Sequence, residues 1–328
     1  MRWSASRSRA AWTDVERTKD MTGTEQDGIQ RFHFEALDIR GELAHLGSTW
    51  AAVVEAHDYP LPVQRLLGEL LTATALLANI IKIDGTLTVQ ATGDGPVSVL
   101  MAECRNRETL RGIARLRGAV DGPLPPDEVS MGTELLGKGL VTITIRPDGG
   151  EPYQGIVPLT GATLAEAIEG YFAQSEQIPT RLWLSAAGSD AAGLLVQALP
   201  PELARVARTE KQREEDFSRI TMLADTLGAE ELRTTANETL LHRLFHEERV
   251  RLQERQALAF RCTCSRERTR EAMRTLPREE LETILEEDGF VEMDCQFCRV
   301  KYRFDAIDLE LAMRAEPEPD DGEADAPH

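Results

Sequence analysis

Four of the chain's five cysteines fall in one short region, as Cys262-Thr263-Cys264 and Cys295-Gln296-Phe297-Cys298. Thiols in two close pairs point to metal or redox chemistry rather than to structural disulfides. Four thiolates complete the tetrahedral coordination of zinc, and a site with every position filled by protein is structural, so hydrolytic zinc chemistry is not expected. Cys262, Cys264, Cys295 and Cys298 are therefore the expected ligands of one Zn2+. The same spacing is open to oxidants. Cys262 with Cys264, and Cys295 with Cys298, are each near enough in sequence to form a local disulfide, which would remove the ligands. A Cys-x-Cys ring is tight and easily reduced, as suits a reversible switch. On spacing alone, a permanent zinc staple and a redox switch both stay open.

The residues between the pairs must hold them in place. Ser265 can cap a first short helix, Pro277 suits the first turn of a second, and Gly289 can end it. Val300, Tyr302 and Phe304 then alternate, which predicts a strand packed back onto this region. A unit of roughly fifty residues is near the size at which a core alone rarely suffices, so metal should carry much of its stability. Structural zinc is worth ~10–16 kcal/mol of apparent folding energy in finger peptides, so losing the ligands should unfold it.

Other candidate chemistry is thin. His33, His45, His57, His242, His246 and His328 are scattered. His242 and His246 are four apart but lack the Glu of a zincin, and Glu247 and Glu248 beside them read as a solvated face. Cys104 ends an apolar strand pattern and reads as a small buried residue. Neither a Gly-rich phosphate loop nor a Ser-centred elbow stands out, which argues against an enzyme. The 56 acidic and 37 basic residues give a formal charge of -19, which would repel a phosphate backbone, so no nucleic-acid partner is expected. Such a charge suits a protein that must keep sticky clients soluble, and it fits an ordinary acidic surface equally well. The longest apolar stretch, Leu66 to Ile81, contains Glu69 and Asn79 and falls short of the ~20 residues of a membrane span, so it reads as a buried helix.

The chain as a whole reads as α+β: an N-terminal mixed α/β domain, a helical linker region and a small C-terminal four-cysteine zinc-binding redox-switch domain. Residues 1–29 are expected to be a disordered extension, its first twenty residues lying upstream of a start at Met21, with an organellar presequence over 1–20 the other reading. The α+β domain covers 30–207, the linker 208–256, the zinc-binding domain 257–309, and an acidic disordered tail 310–328. Within the first domain a helical pattern begins at Trp50. Gly85-Thr-Leu-Thr-Val-Gln-Ala turns through Gly93-Asp94-Gly95-Pro96 into Val97, and Gly139 to Ile145 and Tyr153 to Val157 form a second β region. Thr163 to Phe172 returns to helical spacing, and strands at Arg181 and Gly193 close the domain. In the linker Phe217, Ile220, Leu223, Ala224 and Leu227 recur at helical spacing up to Gly228. Thr235 and Glu238 have the spacing of a capping box before a helix bearing Leu240, Leu241, Leu244 and Phe245. Such helices are marginal alone and depend on what they pack against.

These residues resemble the 33 kDa chaperonin family, the redox-regulated heat-shock holdases. The likeness runs from about Gln30 to Leu309. It includes His57-Asp58-Tyr59-Pro60, Gly93-Asp94-Gly95-Pro96, Tyr153-Gln154-Gly155, Tyr171-Phe172 with Ser175-Glu176-Gln177 and Pro179-Thr180, Cys262-Thr-Cys-Ser-Arg-Glu-Arg, Thr275-Leu-Pro, Glu287-Asp-Gly and Cys295-Gln-Phe-Cys. The resemblance implies that the four cysteines bind zinc in a reduced, inactive state. Under oxidative stress they would form the disulfides Cys262–Cys264 and Cys295–Cys298, release zinc and unfold the linker, and the chain would then bind unfolding client proteins. It further implies residence in the bacterial cytoplasm, a homodimer on activation, and hand-over of clients to ATP-dependent foldases. Arg299 departs from the pattern, standing where the family commonly has a glycine that permits a left-handed turn behind the last ligand.

Two other readings compete. A zinc-ribbon nucleic-acid binder needs a basic face, and Arg266, Arg268, Arg270, Arg274 and Arg278 are offset by Glu267, Glu271, Glu279, Glu280, Glu282, Glu286 and Glu287. A thiol-disulfide oxidoreductase using Cys295 and Cys298 needs a βαβ context that the sequence around Met293-Asp294 does not offer.

Overall fold

Alternation of buried and part-exposed side chains through Gly85–Gly93 makes that segment a sheet strand, while the long, mostly apolar segment that follows Pro60 forms a helix buried on nearly all sides. The computed structural model describes residues 27–117, 132–200, 203 and 207–314. It opens with strands β1 (Gly28–Phe34) and β2 (Ile39–Leu46), then α1 (Ser48–Glu55) and α2 (Leu61–Ile81). A meander of β3 (Gly85–Gly93), β4 (Val97–Arg105) and β5 (Thr109–Leu116) leads to α3 (Gly132–Leu136) and the hairpin β6 (Gly139–Pro147) and β7 (Tyr153–Pro158). Helix α4 (Leu164–Tyr171) runs into a π-helical turn, and β8 (Thr180–Ala187) and β9 (Asp190–Ala198) form a further hairpin.

Two sheets result. One has the order β1-β2-β9-β8, and the other β5-β4-β3-β6-β7; each gains one more edge strand from farther along the chain. Helix α2 packs against strands of both, and from Val63 to Ile80 nearly every residue is buried, so its hydrophobic face is its whole circumference. Fixing one helix against two sheets makes the main core continuous across them.

A second core is separate from the first. Helices α5 (Glu210–Ala224), α6 (Ala229–Thr234) and α7 (Asn237–Phe245) lie on the outer face of the first sheet. Ile220, Ala224, Leu232, Leu240, Leu241, Leu244 and Phe245 are buried there against Phe32, Phe34, Ile39, Leu43, Leu194 and Val196. Phe245 meets Phe34 edge-on, with ring centroids 5.1 Å apart. A buried polar clasp adds direction: His45 Nε2 lies 2.8 Å from Asn237 Oδ1, and Asn237 Nδ2 donates to Gln30 Oε1.

The chain then becomes extended. β10 (Val250–Ala257) pairs antiparallel with β1, and β11 (Ala259–Phe260) pairs parallel with β5, so one segment borders both sheets. A final lobe contains α8 (Arg266–Met273), α9 (Arg278–Asp288), the ribbon β12 (Val291–Asp294) and β13 (Lys301–Phe304), and α10 (Ala306–Arg314) around a small core of Met273, Leu281, Val291, Phe304 and Leu309.

Several sequence expectations need correction. The segment expected as a helical linker over 208–256 ends in strand β10, where Val250 and Leu252 pair beside Phe34 and Phe32 of β1 and pack on their apolar cluster. The Thr235–Glu238 capping box does not form: Ala236 takes the N-cap position without a side-chain cap. Glu248 is not a solvated residue but an ion-pair partner of Arg219. Pro277 occupies the N-cap of α9 rather than its first turn. Gly28 and Ile29 already belong to β1, whereas residues 1–26 of the expected extension lie outside the described residues. Of the expected tail, residues up to Arg314 complete α10, and 315–328 lie outside the described residues.

Candidate metal centre

Two separate pieces of backbone deliver the cysteines. β11 runs alongside β5, with Ala259 N donating to Glu108 O and Arg261 N to Leu110 O, and hands the chain directly to Cys262. Ser265 then caps α8 by accepting from Arg268 N, which fixes the exit from Cys264. The second pair sits in the turn of the β12–β13 ribbon, closed by Cys295 N donating to Val300 O at 2.9 Å and Arg299 N donating to Cys295 O at 2.8 Å. That turn needs a left-handed residue, and Arg299 adopts it with φ 58°. A side chain costs roughly 1–2 kcal/mol in this conformation, so Arg299 carries strain that glycine would not. Its guanidinium is held to Asp294 Oδ2 at 2.6 Å.

The four thiols, 33 or more residues apart across the two closest contacts, converge so that every Sγ lies within 4.8 Å of the others. Those contacts run between pairs, 3.5 Å for Cys262 with Cys295 and 3.4 Å for Cys264 with Cys298. Four sulfurs at ~2.3 Å from a shared ion stand about 3.8 Å apart, so the cluster fits a tetrahedral metal. Its surroundings fit as well. Tyr302 Oη donates to Cys264 Sγ at 3.2 Å, and the backbone N–H groups of Cys264 and Val300 serve Cys262 and Cys298. Donors aimed at sulfur orient thiolate ligands and stabilise their charge.

The protonation tendencies differ among the thiols. Burial pushes Cys262 upward, against the Cys264 N–H. Burial and the neighbouring thiols push Cys298 upward more strongly. Burial also disfavours the Cys264 thiolate, but hydrogen bonds from Tyr302 and the other thiols outweigh it and bring that group below the ordinary thiol range. Cys104 is far from this cluster: it is buried on β4, and burial pushes its pKa up to about 12, in keeping with an inert core thiol.

The structure thus brings Cys262, Cys264, Cys295 and Cys298 together and leaves Cys104 and the histidine pair apart from them. Sequence reasoning missed the residues that hold the lobe against the body: Arg111, His57, Tyr59 and Arg115. His57 Nε2 lies 3.2 Å from Phe297 O, and its ring stacks on Tyr59 at 4.7 Å. Tyr59 Oη donates to Ala114 O and accepts from Ala114 N, both at 3.0 Å. The one available signal is the motif His57-Asp58-Tyr59-Pro60, whose residue types alone indicate no role.

The competing chemistries find little support. Arg266 and Arg278 are engaged with Asp308 and Glu282, which removes two cations from any basic face. Cys295 and Cys298 occupy a hairpin turn, not the strand-to-helix junction at which a dithiol redox motif is activated. Among the described residues no helix is long and apolar enough to cross a membrane.

Comparison with known proteins agrees with this architecture. The family described as "Hsp33 protein" matches residues 27–305. The 33 kDa chaperonin of Azotobacter vinelandii is 48% identical over 287 residues, covering 86% of this chain and 93% of its own. That of Shewanella woodyi is 46% identical over 286 residues, covering 87% and 94%. The crystal structure of the 33 kDa chaperonin (heat shock protein 33 homolog) of Thermotoga maritima superposes with a TM-score of 0.74 over 88% of this chain and 98% of that one, at 22% identity, a likeness of fold.

Proposed function

The chain belongs to the Hsp33 family, and from that premise we propose that it is a redox-switched holdase chaperone whose ligands for one zinc ion are Cys262, Cys264, Cys295 and Cys298. The proposed organisation is a body over 30–207, a linker over 208–256 and a switch lobe over 257–309. The observation that carries the reading is one of connection: the apolar face of α5–α7 is buried on the body, and it is tied through β10 and β11 to a lobe whose four thiols converge.

Zinc, when bound, supplies the cross-link that a lobe with so few buried residues lacks and keeps its ligands ionised. The residues do the rest. Tyr302 and the two backbone donors orient the sulfurs, and β11 and the β12–β13 turn hold the two pairs at one centre. Oxidation removes ligands. Two thiolates of a pair and one hydrogen peroxide, with two protons, give one disulfide and two waters, so both pairs consume two peroxides. We assign the products as Cys262–Cys264 and Cys295–Cys298. The thiols in closest contact belong to different pairs, so disulfide mapping is a direct test of this assignment.

Once the lobe unfolds, β10 loses its anchor and the marginal helices α5–α7 lose theirs. Their leucines and Phe245, together with Phe32 and Phe34 beneath, become an apolar surface for unfolding proteins. The same proposal covers a homodimer on activation, release of clients to ATP-dependent foldases after reduction, and residence in the bacterial cytoplasm.

The experiment compares reduced protein with protein treated with peroxide at raised temperature. It follows zinc release, disulfide mapping and suppression of light scattering by a thermally aggregating client. One zinc released, two local disulfides and reversible suppression are expected. Zinc that stays bound while suppression never appears would overturn the switch and leave a static staple.

A further inference from the structure

Arg111 on β5 stands directly opposite Glu103 on β4 in the antiparallel register, and their side chains form a shielded ion pair, 23% and 14% exposed. A guanidinium has a rigid fork of donors and two flat faces for stacking, so one side chain can satisfy several partners at once. Here Nε serves Glu103, Nη1 donates to Thr263 Oγ1 at 3.0 Å, and the guanidinium carbon lies 4.1 Å from the centre of the Phe297 ring. Cys262 lies within reach of the same group.

The identity of these partners is the informative point. Thr263 is the residue between Cys262 and Cys264, and Phe297 lies between Cys295 and Cys298. One side chain of the six-stranded sheet therefore touches the interior of both ligand pairs. Both contacts are geometrically demanding, since a hydrogen bond weakens steeply with misalignment and a cation–π contact requires the ring face. They are made together only when the two pairs are folded about one centre. Glu103 keeps the guanidinium charge-balanced and aimed while it is covered by the lobe. Flanking contacts from His57 to Phe297 and from Arg115 to Gln296 reach the second pair alone.

We propose that Arg111 is a positioning residue through which the sheet holds both cysteine pairs in their ligating arrangement, slowing metal loss and releasing the whole lobe once either pair departs from that geometry. The inference rests on the reading of the four cysteines as zinc ligands. A mostly polar dock also explains how release can be reversible, because such contacts lapse when geometry is lost, whereas a broad apolar seal would persist.

The test uses the full-length, reduced, zinc-loaded chain. Zinc transfer to an excess of a chromogenic chelator is timed, and backbone hydrogen exchange is followed at residues 57–59 and 296–300. Arg111→Met keeps the stem and deletes the fork and charge; Arg111→Lys keeps only the charge. Arg111→Met is expected to start with one zinc per chain, release it about tenfold faster, equivalent to about 1.4 kcal/mol, and lose protection at 296–300. Arg111→Lys should recover part of the difference. Thr263→Val should accelerate release by itself yet add little on top of Arg111→Met, as expected for groups in one contact. A merely structural role for Arg111 predicts a lower melting temperature of the body with release within about twofold of the unaltered chain, and that result overturns the proposal. Full additivity of the two substitutions also overturns it. Should Arg111→Met not fold, Thr263→Val with Phe297→Leu tests the same dock from the lobe side, with faster release expected and unchanged release refuting. An unaltered chain that binds no zinc defeats the zinc reading itself, and the proposal with it, and is recognised before any variant is compared.

Discussion

Replacing Phe245 by alanine should separate the two halves of the switch. Phe245 is 1% exposed at the end of α7, packed edge-on against Phe34 and 6.4 Å from Phe32. Truncating a buried phenylalanine costs about 3–5 kcal/mol, and most of that loss falls on docking of the linker helices, because the partner rings belong to the body. At about 1.4 kcal/mol per tenfold, the docked-to-undocked ratio should fall by about two to three orders of magnitude. Helices this short do not stand alone, so undocking means local unfolding. The lobe's own core and thiol cluster share no atom with this contact. The reduced variant should therefore keep its zinc, lose hydrogen-exchange protection through residues 229–245 and suppress client aggregation without oxidant. The assay is light scattering of a heat-denatured client beside zinc content and hydrogen exchange on the same sample. Protected helices and no suppression would refute the argument that this face is the hidden surface; simultaneous loss of zinc would refute the separability of lobe and linker.

Arg299→Gly relieves a left-handed side chain and should stabilise the lobe by about 1 kcal/mol, read as a slower chelator-driven loss of zinc. Acid should loosen the linker through His45. Its folded pKa is lowered first by burial and then by Arg255, against Asn237 and Asp190, so its contribution is full above the unfolded value near 6.5 and is lost as pH falls towards the folded value. His45→Gln should flatten the pH dependence of hydrogen exchange at α7. Removing zinc under reducing conditions at neutral pH should be accompanied by proton uptake, because burial raises Cys262 and Cys298, and by loss of helical circular dichroism from α8 and α9; calorimetry in buffers of different ionisation heat measures the protons. Native alkylation of the zinc-free chain should label four thiols and spare Cys104, and Cys104→Ser should leave oxidation kinetics unchanged, with mass spectrometry counting the labels.

How much of this could be read from the sequence depended on the range of the interactions. The cysteine pairs were legible because ligand spacing is local, and α2 because its apolar run allows no other structure. β1 and β2 were overlooked. Ile39–Leu46 is buried almost throughout, so it lacks the alternation that marks a half-buried strand, and it contains Glu42 and His45. Those residues tolerate burial only through distant partners: Arg31 and Asn79 for Glu42, Asn237 for His45. β10 looked helical because its charged side chains suit an edge strand and an exposed helix alike. Arg111 was invisible for the same reason as Glu42. It is one arginine among many until Thr263, 152 residues away, is brought beside it.

On the proposed switch, the strand that leads into the lobe would also set the direction in which the molecule comes apart. The last residue of β10, Ala257, pairs with Gly28, and the first, Val250, pairs with Phe34. A separation that begins at the lobe end would meet these rungs one after another, as a zipper does. The register slips between Gln30 and Phe32, which places a notch in the tear line. Separation that starts at the lobe end would free the rungs from Gly28 to Gln30 before those from Phe32 to Phe34, at the foot of the phenylalanine cluster.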